Sequence, residues 1–258
     1  MSRISEVFEN GNKAFIAYLM AGDPSPIKTR EYILKIAEAG ADIIELGIPF
    51  SDPIAEGETI QKANLRAFAS GAGLESAFEI AESLKGVLKA PLLFMTYINP
   101  VFNYGYDNFF TKCADCGVSG IILPDLPFEE QGELSGFTTK HGVDLITLIA
   151  PTSSSRIEKV AKNAQGFIYL VSSMGVTGVR TDINTDISEI IGEIRKYSDT
   201  PIAVGFGVHS PSQATGLSRH ADGVIVGSAI VNIIAEHGEN AADALYAYVK
   251  SMKDAVSH

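Results

Sequence analysis

The chain has 258 residues, 46% hydrophobic and 20% charged, an ordinary composition for a globular protein. A formal net charge of −11 argues against a nucleic-acid or anionic-membrane partner, so an anionic substrate must be held locally by backbone N–H groups. No run approaches the roughly 18 apolar residues of a membrane helix, and the polar opening MSRISEVFENGNK has no apolar signal core; a cytoplasmic location is expected.

In chain order, Ile4–Asn10 reads as an extra helix that closes the bottom of the fold. Strand-like apolar runs then occur at Ala14–Met20, Ala41–Gly47, Pro91–Tyr97, Gly120–Pro124, Asp144–Ile149, Gly166–Val171, Pro201–Gly205 and Gly223–Val226. Apolar residues spaced i, i+3, i+4 predict helices between them, at Ile27–Ala39, Leu74–Val87, Glu129–His141, Ser155–Asn163, Asp186–Tyr197 and Ser212–His220. Near-continuous apolar strands alternating with helices imply a parallel sheet covered on both faces. Eight such units predict a (β/α)8, or TIM, barrel over residues 1–258 as one domain, since no Gly/Ser/Pro-rich linker divides the chain. A doubly wound open sheet is the alternative, but it rarely needs eight units, and no G-x-G-x-x-G follows the first strand. Cys113 and Cys116 form a lone C-x-x-C in a helix-like segment, Asp107–Gly117, and read as structural. His141, His209, His220, His237 and His258 show no metal-ligand spacing, so no metal is expected.

The second strand carries the chemistry. Glu45 is the acid of an almost wholly apolar run, and a buried carboxylate is costly unless paired, protonated or used. A second acid, Glu56, follows in a loop that Gly47, Pro49, Pro53 and Gly57 keep irregular. Two carboxyls in unlike settings suit acid–base work, because their surroundings can push their pKa values apart; a core glutamate beside a solvated loop acid is the plainer alternative. In a barrel, chemistry sits at the C-terminal strand ends. There the chain offers Tyr18, Glu45, Tyr97, Asn99, Asp125 and Tyr169, then glycine-rich loops after strands six, seven and eight. Gly178, Gly207 and Gly227-Ser228 lie in those loops, and Gly227-Ser228 opens an apolar helix-like turn, Ala229–Ala235. Free N–H groups and the dipole at such a turn favour a phosphate, which glycine lets approach the backbone.

ELGIPFSDP at Glu45–Pro53, GVTG at Gly175–Gly178, GFG at Gly205–Gly207 and GSAIV at Gly227–Val231 together resemble the tryptophan synthase α subunit family, in order and spacing over nearly the whole chain. The resemblance implies a carbon–carbon lyase of tryptophan biosynthesis. Such a lyase cleaves indole-3-glycerol phosphate to indole and glyceraldehyde 3-phosphate, with no cofactor of its own. It implies Glu45 as general acid/base and Glu56 at the indole N–H, with Tyr169 as the third catalytic position. Tyr18, Met95, Tyr97, Ile122, Ile149 and Phe206 would line the indole pocket, with Thr177 closing over the acidic loop. Gly178, Gly207, Gly227 and Ser228 would hold the phosphate. The implied partner is a pyridoxal-phosphate β subunit in an α2β2 heterotetramer, met by a face that includes Asp52, Pro53 and Asn99. One stretch departs from the family's usual P-[LIV]-A-D-G-P: here Glu56 replaces the aspartate and Glu58 the proline. An added methylene is expected to misplace the carboxylate, so Glu56→Asp is expected to raise the rate. Two readings stay beside this one, an α-type subunit kept mainly as allosteric activator of the β subunit and a free-standing lyase.

Overall fold

In a computed structural model, which describes residues 2–150, 154–171, 183–205 and 207–257, the apolar runs pair in parallel, each with the next and the last with the first. The strands are β1 (Ala14–Met20), β2 (Ile43–Gly47), β3 (Leu92–Met95), β4 (Val118–Ile122), β5 (Asp144–Ile149), β6 (Ile168–Val171), β7 (Ile202–Gly205) and β8 (Gly223–Val226). The result is the closed (β/α)8 barrel that the alternation predicts.

The strands read as continuous apolar runs because each buries both faces. Ile16, Ile43, Leu93, Ile122, Ile146 and Ile225 point inward and fill the barrel. Their neighbours Phe15, Ile44, Phe94, Ile121, Leu145 and Val224 point outward into a larger cluster shared with the helices. Ile4, fully buried, comes from a short N-terminal helix, Arg3–Glu6, to join the inner cluster, so the predicted bottom plug is present.

Helix boundaries follow local chemistry. Pro26–Glu38 starts where the Ser25 side chain accepts the Lys28 N–H with proline in the first turn. Tyr106–Cys116 ends at Gly117, whose φ of 79° is the left-handed cap that glycine favours. β4 begins at the next residue, two positions ahead of the predicted start. Cys113 and Cys116 pack inward from that helix, and burial pushes both thiols up, which fits a structural role. Helices Glu58–Ala69 and Ile98–Tyr104, which the periodicity does not predict, follow β2 and β3. The predicted turn after β8 is a fuller helix, Ser228–His237, and the chain closes with Ala242–Val256. Among the described residues no helix is long and apolar enough to cross a membrane.

Helix Glu58–Ala69 is tied to the top of β1 by polar contacts. The Ser70 hydroxyl donates to Gly22 O at 2.8 Å, and Arg66 grips Asp23 with Nε at 2.8 Å and Nη2 at 2.7 Å. Asp23 is fully buried and Arg66 about one-third exposed, so removing the carboxylate strands a partly buried guanidinium. Asp23→Ala is therefore expected to lower the stability to urea by about 3 kcal/mol, towards the cost of breaking a buried pair. A loss below about 1 kcal/mol would mean that Arg66 re-solvates freely and the clamp is dispensable.

Candidate active site

At the C-terminal ends of the strands a cavity of about 420 Å³ opens over the barrel interior. Its inner wall comes from inward-facing positions one turn of the pleat above the packed isoleucine layer: Tyr18 on β1, Glu45 on β2, Met95 on β3 and Tyr169 on β6. Room for the two tyrosine rings comes from glycines on the neighbouring strands, Gly47 on β2 and Gly205 on β7. A Cβ on Gly47 would stand 2.3 Å from the Tyr18 hydroxyl oxygen, and one on Gly205 2.6 Å from that of Tyr169.

Glu45 is 1% exposed, and its Oε2 has no hydrogen-bond partner among the described residues. In register it lies between Tyr18 and Leu93, with no cation paired to it among the described residues. Burial alone pushes its carboxyl up to about 8. A buried acid at that value is largely protonated at neutral pH and can give up its proton within the working range.

Glu56 enters from the loop after β2 and is only partly buried. Burial raises its pKa, while Asn64 and the Tyr97 hydroxyl, by bonding to the anion, pull the other way. Asn64 organises this loop. From the buried face of helix Glu58–Ala69 its amide donates to Glu56 Oε2 at 2.6 Å, and its Oδ1 accepts the Phe50 N–H at 3.0 Å. Both ends of the acidic loop are thereby fixed to one side chain. Glu58 stands exposed at the first position of the same helix and pairs with Lys62 at 2.7 Å. Proline suits that position by its fixed φ, and an acid suits it through the dipole.

The end of the cavity where a phosphate is expected is lined by Gly207, Val208 and His209 after β7 and by Gly227, Ser228, Ala229 and Asn232 around the start of helix Ser228–His237. Gly207 has φ of 79°, and a Cβ there would meet nothing within 4 Å, so its backbone faces open space. No lysine or arginine is among the described residues that line the cavity.

Of the expected site residues, Tyr18, Glu45, Glu56, Met95, Tyr169, Gly207, Gly227 and Ser228 meet around this cavity. Thr177, Gly178 and Phe206 lie outside the described residues. Three other expected positions do not line the cavity. Ile122 points inward level in register with Met95, but it is fully buried in the inner cluster. Ile149 belongs to the outer cluster, because the strand's two-residue period makes Leu148 the inward residue there; both border an adjoining cavity of about 340 Å³. Tyr97, 2% exposed, braces the acidic loop instead, accepting the Ala55 N–H at 3.1 Å and packing against Phe50 at 5.1 Å between ring centroids. Ile60, Asn64, Val208, His209 and Asn232 carry no site signal in the sequence. Asn64 alone leaves a trace, as an amide between Ala63 and Ala67 on an otherwise apolar helix face.

Comparison with known proteins gives the family of the chain. The family model described as tryptophan synthase alpha chain matches residues 4–257. The tryptophan synthase alpha chain of Lacticaseibacillus casei is 46% identical over 256 residues, covering 99% of this chain and 96% of that one. The solved α subunit from Legionella pneumophila superposes with a TM-score of 0.90 at 35% identity, covering 99% of this chain and 98% of that one. A tryptophan synthase chain from M. tuberculosis, crystallised in an aminoacrylate-bound form, gives 0.88 at 32% identity, covering 99% of this chain and 100% of that one. The chain belongs to the tryptophan synthase alpha chain family.

Proposed function

We propose that this chain cleaves indole-3-glycerol phosphate by a retro-aldol reaction in which Glu45 moves the protons and Glu56 steadies the ring nitrogen. The α subunits of this family cleave that substrate. The observation that carries the residue assignment is the unpaired, buried Glu45 carboxyl, raised to about 8, facing the cavity beside Tyr169.

The chemistry is dictated by the substrate. Protonation of indole C3 by Glu45 turns the ring into an iminium that can accept electrons. The bond from C3 to the glycerol carbon then breaks. Its electron pair restores the ring double bond, while the adjacent hydroxyl gives its proton back to Glu45 and becomes the aldehyde. No net proton is consumed. Glu56 as an anion offsets the positive charge that grows at the ring N–H, and Asn64 holds it at the required height. Tyr18, Met95 and Ile60 supply apolar wall for the ring.

The family assembles with a β subunit that carries the pyridoxal phosphate. For this chain the same α2β2 assembly is supported by the rim beside the acidic loop. Ile54 and Phe102 are 79% and 65% exposed there, close in sequence to Asp52, Pro53 and Asn99, and such apolar side chains suit a protein contact. The loop is ordered around Glu56 by Asn64, which favours a competent lyase over a subunit retained only to activate its partner.

Glu45→Gln is expected to remove lyase activity and to stabilise the fold. Between pH 4.5 and about 8 the folded state keeps a proton on Glu45 that the unfolded chain releases, so stability falls as pH rises through that window. The amide cannot ionise, and at pH 7 the gain is on the order of 3 kcal/mol. Retention of a tenth of the parent rate, or a variant no more stable than the parent, would remove Glu45 from its role.

Glu56→Asp is expected, on this geometry, to slow the reaction, the reverse of the effect that the sequence suggests. Aspartate falls one methylene short of the Asn64 amide that sets the carboxylate's place, and a shift of about 1 Å costs roughly 100-fold in a positioned reaction. A single-turnover rate equal to or above the parent's would show that the loop is not built around glutamate.

A further inference from the structure

His209 lines the phosphate end of the cavity, where no loop glycine can supply charge. Its ring orientation is set by a bond to its own loop: Nδ1 lies 2.9 Å from the carbonyl oxygen of Gly207. A carbonyl oxygen only accepts, so Nδ1 carries the hydrogen. The backbone of the residue is held as well. Its N–H donates to Gln213 Oε1 at 3.0 Å, and its C=O accepts the Tyr248 hydroxyl at 3.0 Å. Nε2 is therefore the nitrogen left to meet a ligand, in a position fixed by three anchors.

The charge balance makes that nitrogen consequential. A phosphate monoester carries close to two negative charges above neutral pH. It must enter a chain of net charge −11 and a cavity whose titratable side chains, His209 apart, are Glu45, Glu56, Tyr18 and Tyr169, with no lysine or arginine among the described lining residues. Gln213 and Tyr248, the groups that hold His209 from the two neighbouring helices, bring no cation. A neutral imidazole with hydrogen on Nδ1 presents a lone pair at Nε2, which repels a phosphate oxygen. Only the imidazolium donates there, and a charge-assisted bond of that kind is the strong form.

Resting on the lyase reading above, we propose that His209 binds the substrate phosphate through Nε2–H and takes up a proton from solvent as it does so. The step balances as imidazole plus one proton plus phosphate dianion giving an imidazolium–phosphate pair, with no covalent change. His209 is thus a positioning residue: it acts on substrate capture, leaving the proton transfers at Glu45 alone.

The test is calorimetric titration of glycerol 3-phosphate into the intact chain at about pH 8, where the phosphate is already dianionic, in two buffers of different ionisation enthalpy. The parent should show net proton uptake. His209→Gln should lose the uptake and bind about tenfold more weakly, the size of one charge-assisted hydrogen bond, and should raise KM with kcat unchanged. His209→Lys, which keeps the charge, should recover most of the affinity without the uptake, and serves alone if the glutamine variant does not fold. Equal affinity and equal uptake in parent and His209→Gln would overturn the proposal while leaving the phosphate site standing. Failure of the parent to bind glycerol 3-phosphate would overturn the phosphate-site reading and this proposal together.

Discussion

An unpaired carboxyl buried in a barrel strand is the constraint on which the site depends. Glu45 occupies an inward position over a mostly aliphatic inner cluster, and among the described residues no cation or backbone donor compensates for its Oε2. Desolvation therefore decides its state. Burial removes water from the anion and costs little for the neutral acid, so the proton is retained well above the pH at which a free glutamate loses it. The surroundings behave alike. Tyr18 and Tyr169 are buried beside it with hydroxyls pushed upward by the same desolvation, so they stay neutral and leave the charge balance to the two glutamates. Stability is given up at this position so that an acid is available at neutral pH.

The second carboxyl is handled in the opposite way. Glu56 is partly exposed and hydrogen-bonded, and Asn64 reaches it from a helix that is itself anchored to the top of β1 through Arg66 and Ser70. Position passes from the barrel wall to the helix, to the amide and finally to the loop acid. This chain of contacts accommodates the longer side chain at Glu56 without withdrawing the loop. It also gives Glu58 a place at the first turn of the same helix, where charge is tolerated better than in the loop proper. Two neighbouring departures from the usual family pattern thus have one structural explanation, the start of helix Glu58–Ala69.

Much of the barrel is legible in the sequence because its signals are local. Strands buried on both faces read as apolar runs, and an acid in the middle of one of them, Glu45, marks its own cost. The glycines at the ends of β7 and β8 mark where backbone, not side chain, borders the cavity. Legibility fails where function depends on direction. Ile149 and Leu148 are equally apolar neighbours, and which of them points inward depends on strand register, which the sequence does not display. Ile122 has the right face, yet its neighbours in the inner cluster cover it completely. Resemblance assigns Tyr97 to the ring pocket, yet past the end of β3 its hydroxyl is drawn to the Ala55 N–H. Helix Glu58–Ala69 is obscured because its first residues, Glu58, Gln61 and Lys62, continue the polar character of the loop. Asn64 ranks no higher than any other helix asparagine until the loop is seen folded onto it.

Glu45 holds its proton through neutrality by burial alone. Its carboxyl can be followed directly by infrared difference spectroscopy across pH, subtracting Glu45→Gln from the parent so that only this group contributes. The expected result is a protonated carboxyl band that persists through pH 7 and disappears with a midpoint near 8. A midpoint between about 4 and 5, where an ordinary glutamate titrates, would show that water or an unrecognised partner reaches Glu45, and would contradict the account.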